Sequence, residues 1–131
     1  VDADHFKTIN DRFGHSVGDR VLIHLSHCLN QKLKENEFAC RYGGEEFVIV
    51  FMESSLSAII RRSEEYRRIV VESPLREATT DVFLSVSVGV AVSPAHGEDS
   101  RSLLHAADVA LYEAKNAGRN QVSVAKSQGK V

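Results

Sequence analysis

No apolar run in this sequence approaches the roughly 20 residues that a bilayer-spanning helix needs. Two cysteines, Cys28 and Cys40, cannot make a disulfide framework and suit a reducing compartment. A net charge of −2 sets up no field that would draw a polyanion, so no nucleic-acid partner is expected. Internal repeats and low-complexity segments are absent as well. What remains is ordinary: 131 residues, 43% apolar and 26% charged, enough for one domain around a single core.

The periodicity is mixed. Asn10 to Gly18 reads as a loop, from Asn10-Asp11, Gly14 and Gly18. From Asp19, a fitting N-cap, to about Leu33, the apolar residues Val21, Leu22, Leu25, Cys28, Leu29 and Leu33 recur at helical spacing. Phe38–Tyr42 and Glu46–Met52 read as strands on either side of Gly43-Gly44. Ser54-Ser55 can cap a helix to about Glu72, which Pro74 stops. Phe83–Val92 alternates cleanly, with Val86, Val88 and Val90 facing one way and Ser85, Ser87 and Gly89 the other. A further helix runs from about Ser100 to Ala117 and ends at Gly118; Gln121–Ala125 is a short strand, and 126–131 a disordered tail. Val1-Asp2-Ala3 reads as the end of a strand. The order β-α-β-β-α-β-α-β predicts an α+β fold with a ferredoxin-like βαββαβ core, an extra helix and a short strand.

Adjacent glycines between two β-rich runs mark a tight turn, and Glu45-Glu46 after them repel each other unless a cation lies nearby. In a split βαβ sheet the end of the first strand and this turn share an edge, which brings Asp2 beside Glu45. Carboxylates converging from rigid elements suit a divalent cation and phosphoryl transfer. Alone, Asp2-Ala3-Asp4 with Asn10-Asp11 could be an acidic strand end and an Asx turn. Lys115 and Arg119, four apart, either complement a helix dipole or clamp phosphates. His24, His27 and Cys28 lie along a core stripe and read as structural. Cys40 reads as a small buried strand residue, and Arg61-Arg62 and Arg67-Arg68 as a solvated face.

Together these residues resemble the diguanylate cyclase family, the GGDEF domains. Gly43-Gly44-Glu45-Glu46-Phe47 is a common variant of the signature turn, and the family pattern Asp-x-Asp-x-Phe-Lys-x-x-Asn-Asp-x-x-Gly-His-x-x-Gly-Asp is matched from Asp2 to Asp19. Ser87–Gly89 and Tyr112–Asn120 match two further patterns. The resemblance implies a palm-type core like the class III nucleotide cyclase catalytic domains. It also implies condensation of two GTP into cyclic di-GMP across a homodimer, with Mg²⁺ (or Mn²⁺) as cofactor. On that basis Asp2, Glu45 and the Ala3 carbonyl would hold metal, and Glu46 would contribute to catalysis. Asn10 and Asp19 would read guanine, Lys115 and Arg119 would grip the terminal phosphates, and main-chain N–H groups around Phe6 and Lys7 would help. Gly43 and Gly44 would let backbone approach the nucleotide. The alternative of another class is a non-catalytic receptor for GTP or cyclic di-GMP. The expected location is cytoplasmic, as part of a signalling protein with an upstream sensory domain, itself membrane-bound in some arrangements.

Two departures from the family pattern stand out. Relative to that pattern, residues 1–125 would be a catalytic domain lacking its first helix and most of its first strand. At the spacing of the family's inhibitory Arg-x-x-Asp product site this chain has Lys34-Glu35-Asn36-Glu37. Lysine cannot supply arginine's flat bidentate fork, so Lys34 and Glu37 form a degenerate product-inhibition site. Product inhibition through it is expected to be weak or absent. Strong non-competitive inhibition by cyclic di-GMP that Lys34→Ala abolishes would contradict this.

Overall fold

Apolar residues at period two and at helical spacing sort this chain into strands and covering helices, all of them described by a computed structural model over residues 1–52 and 55–127. In chain order they are β1 (Asp2–Ala3), α1 (Phe6–Phe13), α2 (His15–Asn30), β2 (Phe38–Gly43), β3 (Glu46–Val50) and α3 (Leu56–Val71). There follow β4 (Leu75–Glu77), β5 (Thr80–Val82), β6 (Val86–Val90), α4 (Ser100–Asn116) and β7 (Val122–Val124). The main sheet has the order β2-β3-β1-β6-β7, and β4-β5 is a separate hairpin. The centre strand β1 runs antiparallel to both β3 and β6, while β7 lies parallel to β6. This mixed α+β sheet is the predicted split arrangement.

The alternation along β6 decides which layer covers which face. Val86, Val88 and Val90 are buried in one cluster with Val21, Leu25 and Leu29 of α2 and Tyr66 and Val70 of α3. On the other face α4 approaches so closely that a Cβ on Gly89 would lie 2.0 Å from the Ala107 carbonyl oxygen. Glycine at this position is what lets a helix lie directly on the strand.

Several expectations shift. The stretch read as a loop, Asn10 to Gly18, is helical apart from Gly14, so Asp19 is an exposed residue inside α2 and not its cap. Gly14, at φ 90°, breaks the backbone direction while its N–H still bonds the Asn10 carbonyl, and one helix is followed at once by another. Helix α2 also ends at Asn30, three residues early, and β3 and β6 are shorter than predicted. The β4–β5 hairpin was not anticipated, because three-residue strands carry too little periodicity. Ser55 caps α3 by accepting from the Ala58 N–H; Ser54 and residues 128–131, part of the expected tail, lie outside the described residues. Cys40 is exposed rather than buried, since β2 is the edge strand.

Arg62 departs furthest from expectation. Read as part of a solvated face, it is 8% exposed, stacked on Phe51 and bonded to Glu37, to Tyr66 Oη and to the Lys32 carbonyl. His24, by contrast, is structural as expected: its Nε2 lies 2.5 Å from the Ser73 carbonyl, joining α2 to the chain beyond α3.

The Arg62 guanidinium holds the Glu37 carboxyl below the usual carboxylate range. That stabilisation is present above the ordinary glutamate pKa of about 4.3 and fades as pH falls through the lower folded value. Glu37→Gln should therefore destabilise the fold by about 2–4 kcal/mol at pH 7. The deficit should shrink at pH 3, as read from urea unfolding midpoints.

Candidate active site

The site is assembled on β1, which offers only two residues but is fixed along its whole length. Phe47 N–H bonds the Val1 carbonyl at 2.7 Å, Ala3 N–H the Glu45 carbonyl at 3.2 Å, and Asp4 N–H the Ser85 carbonyl at 3.0 Å. In register, Asp2 faces Glu46 on one side and Ser87 on the other. Directly opposed residues share a face, so these three side chains all point toward α4.

Asp2 is 5% exposed, and the Lys115 ammonium from α4 pairs with its Oδ2. Its Oδ1 is buried without a hydrogen-bond partner among the described residues. Such an orphaned oxygen costs stability unless a donor or cation reaches it. Glu46 is half-buried, and burial raises its carboxyl above the ordinary value, with Asp108 of α4 adding to the shift. The sheet therefore sets Glu46 beside the Asp2 side chain, while Glu45 is tied to the same strand through its main chain.

The turn itself is Gly44-Glu45, with Gly43 still in β2. Only Gly44 needs a positive φ, at 46°, and Arg41 Nε donates to its carbonyl at 2.8 Å. A Cβ on either glycine would meet nothing within 4 Å, which leaves open space beside the backbone.

Two residues after β1 the chain turns through His5 in the left-handed region and starts α1 at Phe6. The His5 side chain makes no capping bond to the first-turn N–H groups, among them those of Phe6 and Lys7. A helix start of this kind suits an anion. On the neighbouring helix Gly18 is buried, and a Cβ there would fall 1.8 Å from Asn10 Oδ1. The Asn10 side chain thus lies on Gly18, next to Asp19. Gly18, read in the sequence as a loop residue, is the signal for that contact.

Lys115 lies in the last turn of α4 but Arg119 lies three residues beyond its end, so the two do not share a helix face; the Arg119 guanidinium turns back instead, Nη1 donating to the Lys115 carbonyl at 3.5 Å. The chain there passes through positive φ at Gly118, Arg119 and Asn120. Asp4, the second carboxylate of Asp2-Ala3-Asp4, is 5% exposed and accepts from Ser85 Oγ at 2.7 Å, Ser87 Oγ at 2.6 Å and the Asn120 N–H at 3.0 Å. Lys34 and Glu37 lie before β2, where Glu37 is spent on Arg62 and on the Lys34 N–H.

Asp2, Ala3, Glu45, Glu46, Lys115 and the start of α1 are thus gathered at one sheet edge. Asn10 and Asp19 sit where α1 meets α2. No group of three or more Asp, Glu, His and Cys side chains closes on one point among the described residues. The orphaned oxygen of Asp2 fits a divalent cation; the Ala3 carbonyl is on the same strand, and Glu45 lies in the turn that leads into the neighbouring β3. No described helix is long and apolar enough to cross a membrane.

Residues 1–121 match the family described as diguanylate cyclase, GGDEF domain. The diguanylate cyclase DosC of Escherichia coli K12 is 39% identical over 128 residues, covering 97% of this chain and 28% of that protein. The response regulator PleD of Caulobacter vibrioides is 40% identical over 124 residues, covering 93% and 27%. The chain therefore spans little more than a quarter of these relatives. The GGDEF domain of DgcB from Caulobacter crescentus, crystallised with c-di-GMP, superposes with a TM-score of 0.87 at 38% identity, covering 96% of this chain and 73% of that one.

Lys115→Met should strand the buried Asp2 carboxylate. In metal-free buffer the variant should lose about 2 kcal/mol of stability. Millimolar Mg²⁺ or Mn²⁺ should then raise its melting temperature more than that of the parent protein.

Proposed function

The chain belongs to the GGDEF family of diguanylate cyclase domains, and from that premise we propose that it condenses two GTP molecules into cyclic di-GMP. The observation that carries this reading is Asp2: a buried carboxylate with one oxygen on Lys115 and the other unpaired, at the edge shared with the Gly-Gly-Glu-Glu turn. The cyclic di-GMP in the related DgcB domain supports the product.

In this reading the 3′-oxygen of each GTP attacks the α-phosphorus of the other. A P–O bond forms, the bond to the β-phosphate bridge breaks, the hydroxyl proton leaves to solvent or base, and two pyrophosphates depart. Asp2, the Ala3 carbonyl and Glu45 would hold Mg²⁺ (or Mn²⁺), which when bound neutralises charge building on the phosphates. Lys115 then has a second task. Its ammonium pairs with Asp2 in the free protein and would be available to the terminal phosphates where Asp2 held a divalent cation. Arg119 and the N–H groups of Phe6 and Lys7 complete the phosphate cradle.

Guanine is read where α1 meets α2. The Asp19 carboxylate accepts from N1–H and N2–H₂, and the Asn10 amide, held on Gly18, completes the edge. Open space beside Gly43 and Gly44 admits the nucleotide against backbone. Glu46 is contributory: burial favours its protonated form, which suits a proton relay near the 3′-hydroxyl, and no side chain is assigned as general base. Each site holds one GTP, so two subunits must face each other in C2 symmetry. Control would rest on whether an attached sensory domain lets them meet, with the catalytic part in the cytoplasm, where GTP is found. Cyclic di-GMP feedback through Lys34 and Glu37 has no place in this scheme, since Glu37 is committed to Arg62.

Incubation with GTP and Mg²⁺ should yield cyclic di-GMP, detected by mass spectrometry. Glu45→Ala should lower turnover by about a hundredfold or more with an unchanged melting temperature, as the residue sits on a turn. Tight nucleotide binding without product, from a folded dimer, would favour the receptor reading instead.

A further inference from the structure

Asp4 is a buried carboxylate with no salt bridge among the described residues, and its three hydrogen bonds come from separate places in the chain. Ser87 is in β6, the strand next to β1, and Ser85 stands just before it, whereas the Asn120 N–H belongs to the turn after α4. That turn is backbone of an uncommon kind. Arg119 at φ 65° and Asn120 at φ 48° are consecutive non-glycine residues in the left-handed region, a conformation that persists only when its surroundings impose it. Besides Asp4, Arg67 of α3 donates to Asn120 Oδ1 at 2.9 Å, and Gln121 Nε2 donates to the Arg119 carbonyl at 3.0 Å.

Of these restraints only Asp4 reaches the strand that presents Asp2. It lies two residues from Asp2, and its bond to Asn120 acts one residue from Arg119. We propose that Asp4 is a positioning residue: it fixes the strained Arg119–Asn120 turn to β1 and so sets the guanidinium of Arg119 at a defined place relative to Asp2. A triphosphate bridging Asp2's cation and Arg119 requires that spacing; a nucleotide without the β- and γ-phosphates does not. This rests on the reading of Arg119 as part of the phosphate clamp.

The test is equilibrium binding, with Mg²⁺, of guanosine 5′-[α,β-methylene]triphosphate, which cannot be cleaved at the α-phosphorus, and of GMP. Asp4→Ala leaves the Asn120 N–H without an acceptor and should weaken binding of the triphosphate about tenfold or more, with GMP affinity within about twofold of the parent. Asp4→Asn keeps an acceptor for that N–H, while its amide can donate to the Ser87 hydroxyl. It should lose only about threefold, for the triphosphate alone, as the bond gives up its charge assistance. Should Asp4→Ala fail to fold, the near-isosteric Asn variant decides the matter at lower amplitude. Adding Asp4→Asn to Arg119→Ala should cost nothing further, because the residue it positions is gone.

Equal losses for triphosphate and GMP, or losses that multiply in the double variant, would overturn the assignment and leave Asp4 with a general structural role. A parent protein that binds GMP but gains nothing from the two extra phosphates would instead overturn the reading of Arg119 as a phosphate ligand. One that binds neither nucleotide would overturn the guanine site itself, and the positioning role with it.

Discussion

Two carboxylates buried at the end of the central strand are the constraint on which the rest of the site depends. A charge taken out of water costs several kcal/mol unless partners replace the lost hydration. Asp2 and Asp4, two apart in sequence, are given opposite solutions. Asp4 is fully satisfied by hydrogen-bond donors and needs nothing more. Asp2 is half satisfied, with Lys115 on one oxygen and no hydrogen-bond donor among the described residues on the other. Full satisfaction makes one carboxylate a structural anchor, and partial satisfaction leaves the other open to a ligand.

The same contrast appears between the two buried ion pairs. Arg62 and Glu37 are each bonded again, to the Lys32 carbonyl, Tyr66 and the Lys34 N–H, so both ends of that pair are held by further partners. Lys115 is held by Asp2 at the end of a long flexible stem that remains one-third exposed. A pair with spare donors and an unpaired oxygen can exchange partners at little cost, and one closed on both sides cannot. Geometry thus separates a pair built to stay from one able to let go.

Much of this was legible in the residues. Alternation in Val86–Val90, helical spacing in α2, α3 and α4, and the order of elements were enough to place Asp2 across from the Gly-Gly-Glu-Glu turn. That inference needed only topology, since in a split βαβ sheet the first strand must lie between the third and the last. What failed did so where one residue type carries two meanings. Gly14 and Gly18 read together as a loop, yet Gly14 reverses the backbone between helices, and Gly18 makes room for Asn10 inside one. Arg62 sits in a run of arginines whose pattern is that of a surface, and partners from other parts of the chain, Glu37, Phe51 and the Lys32 carbonyl, hold it inside. Pairings between distant polar residues leave no periodic trace. Apolar faces do, because every turn of helix or second strand residue repeats them.

Register also sharpens the division between the two glutamates. A period of two sends Glu45 and Glu46 to different sides, and pairing fixes Glu46 on Asp2's face, toward α4, where Asp108 and burial both disfavour its charge. Glu45, in the turn, has its main chain fixed by Ala3 while its side chain stays half-exposed. A residue whose ionised form is penalised is poorly suited to be the first ligand a cation meets, and well suited to hold or pass a proton once charges around it are neutralised. One whose side chain sits in a turn and is half-exposed is better placed to reach a cation. Adjacent and chemically identical in the sequence, the two carboxylates are made unlike by a single step of the strand.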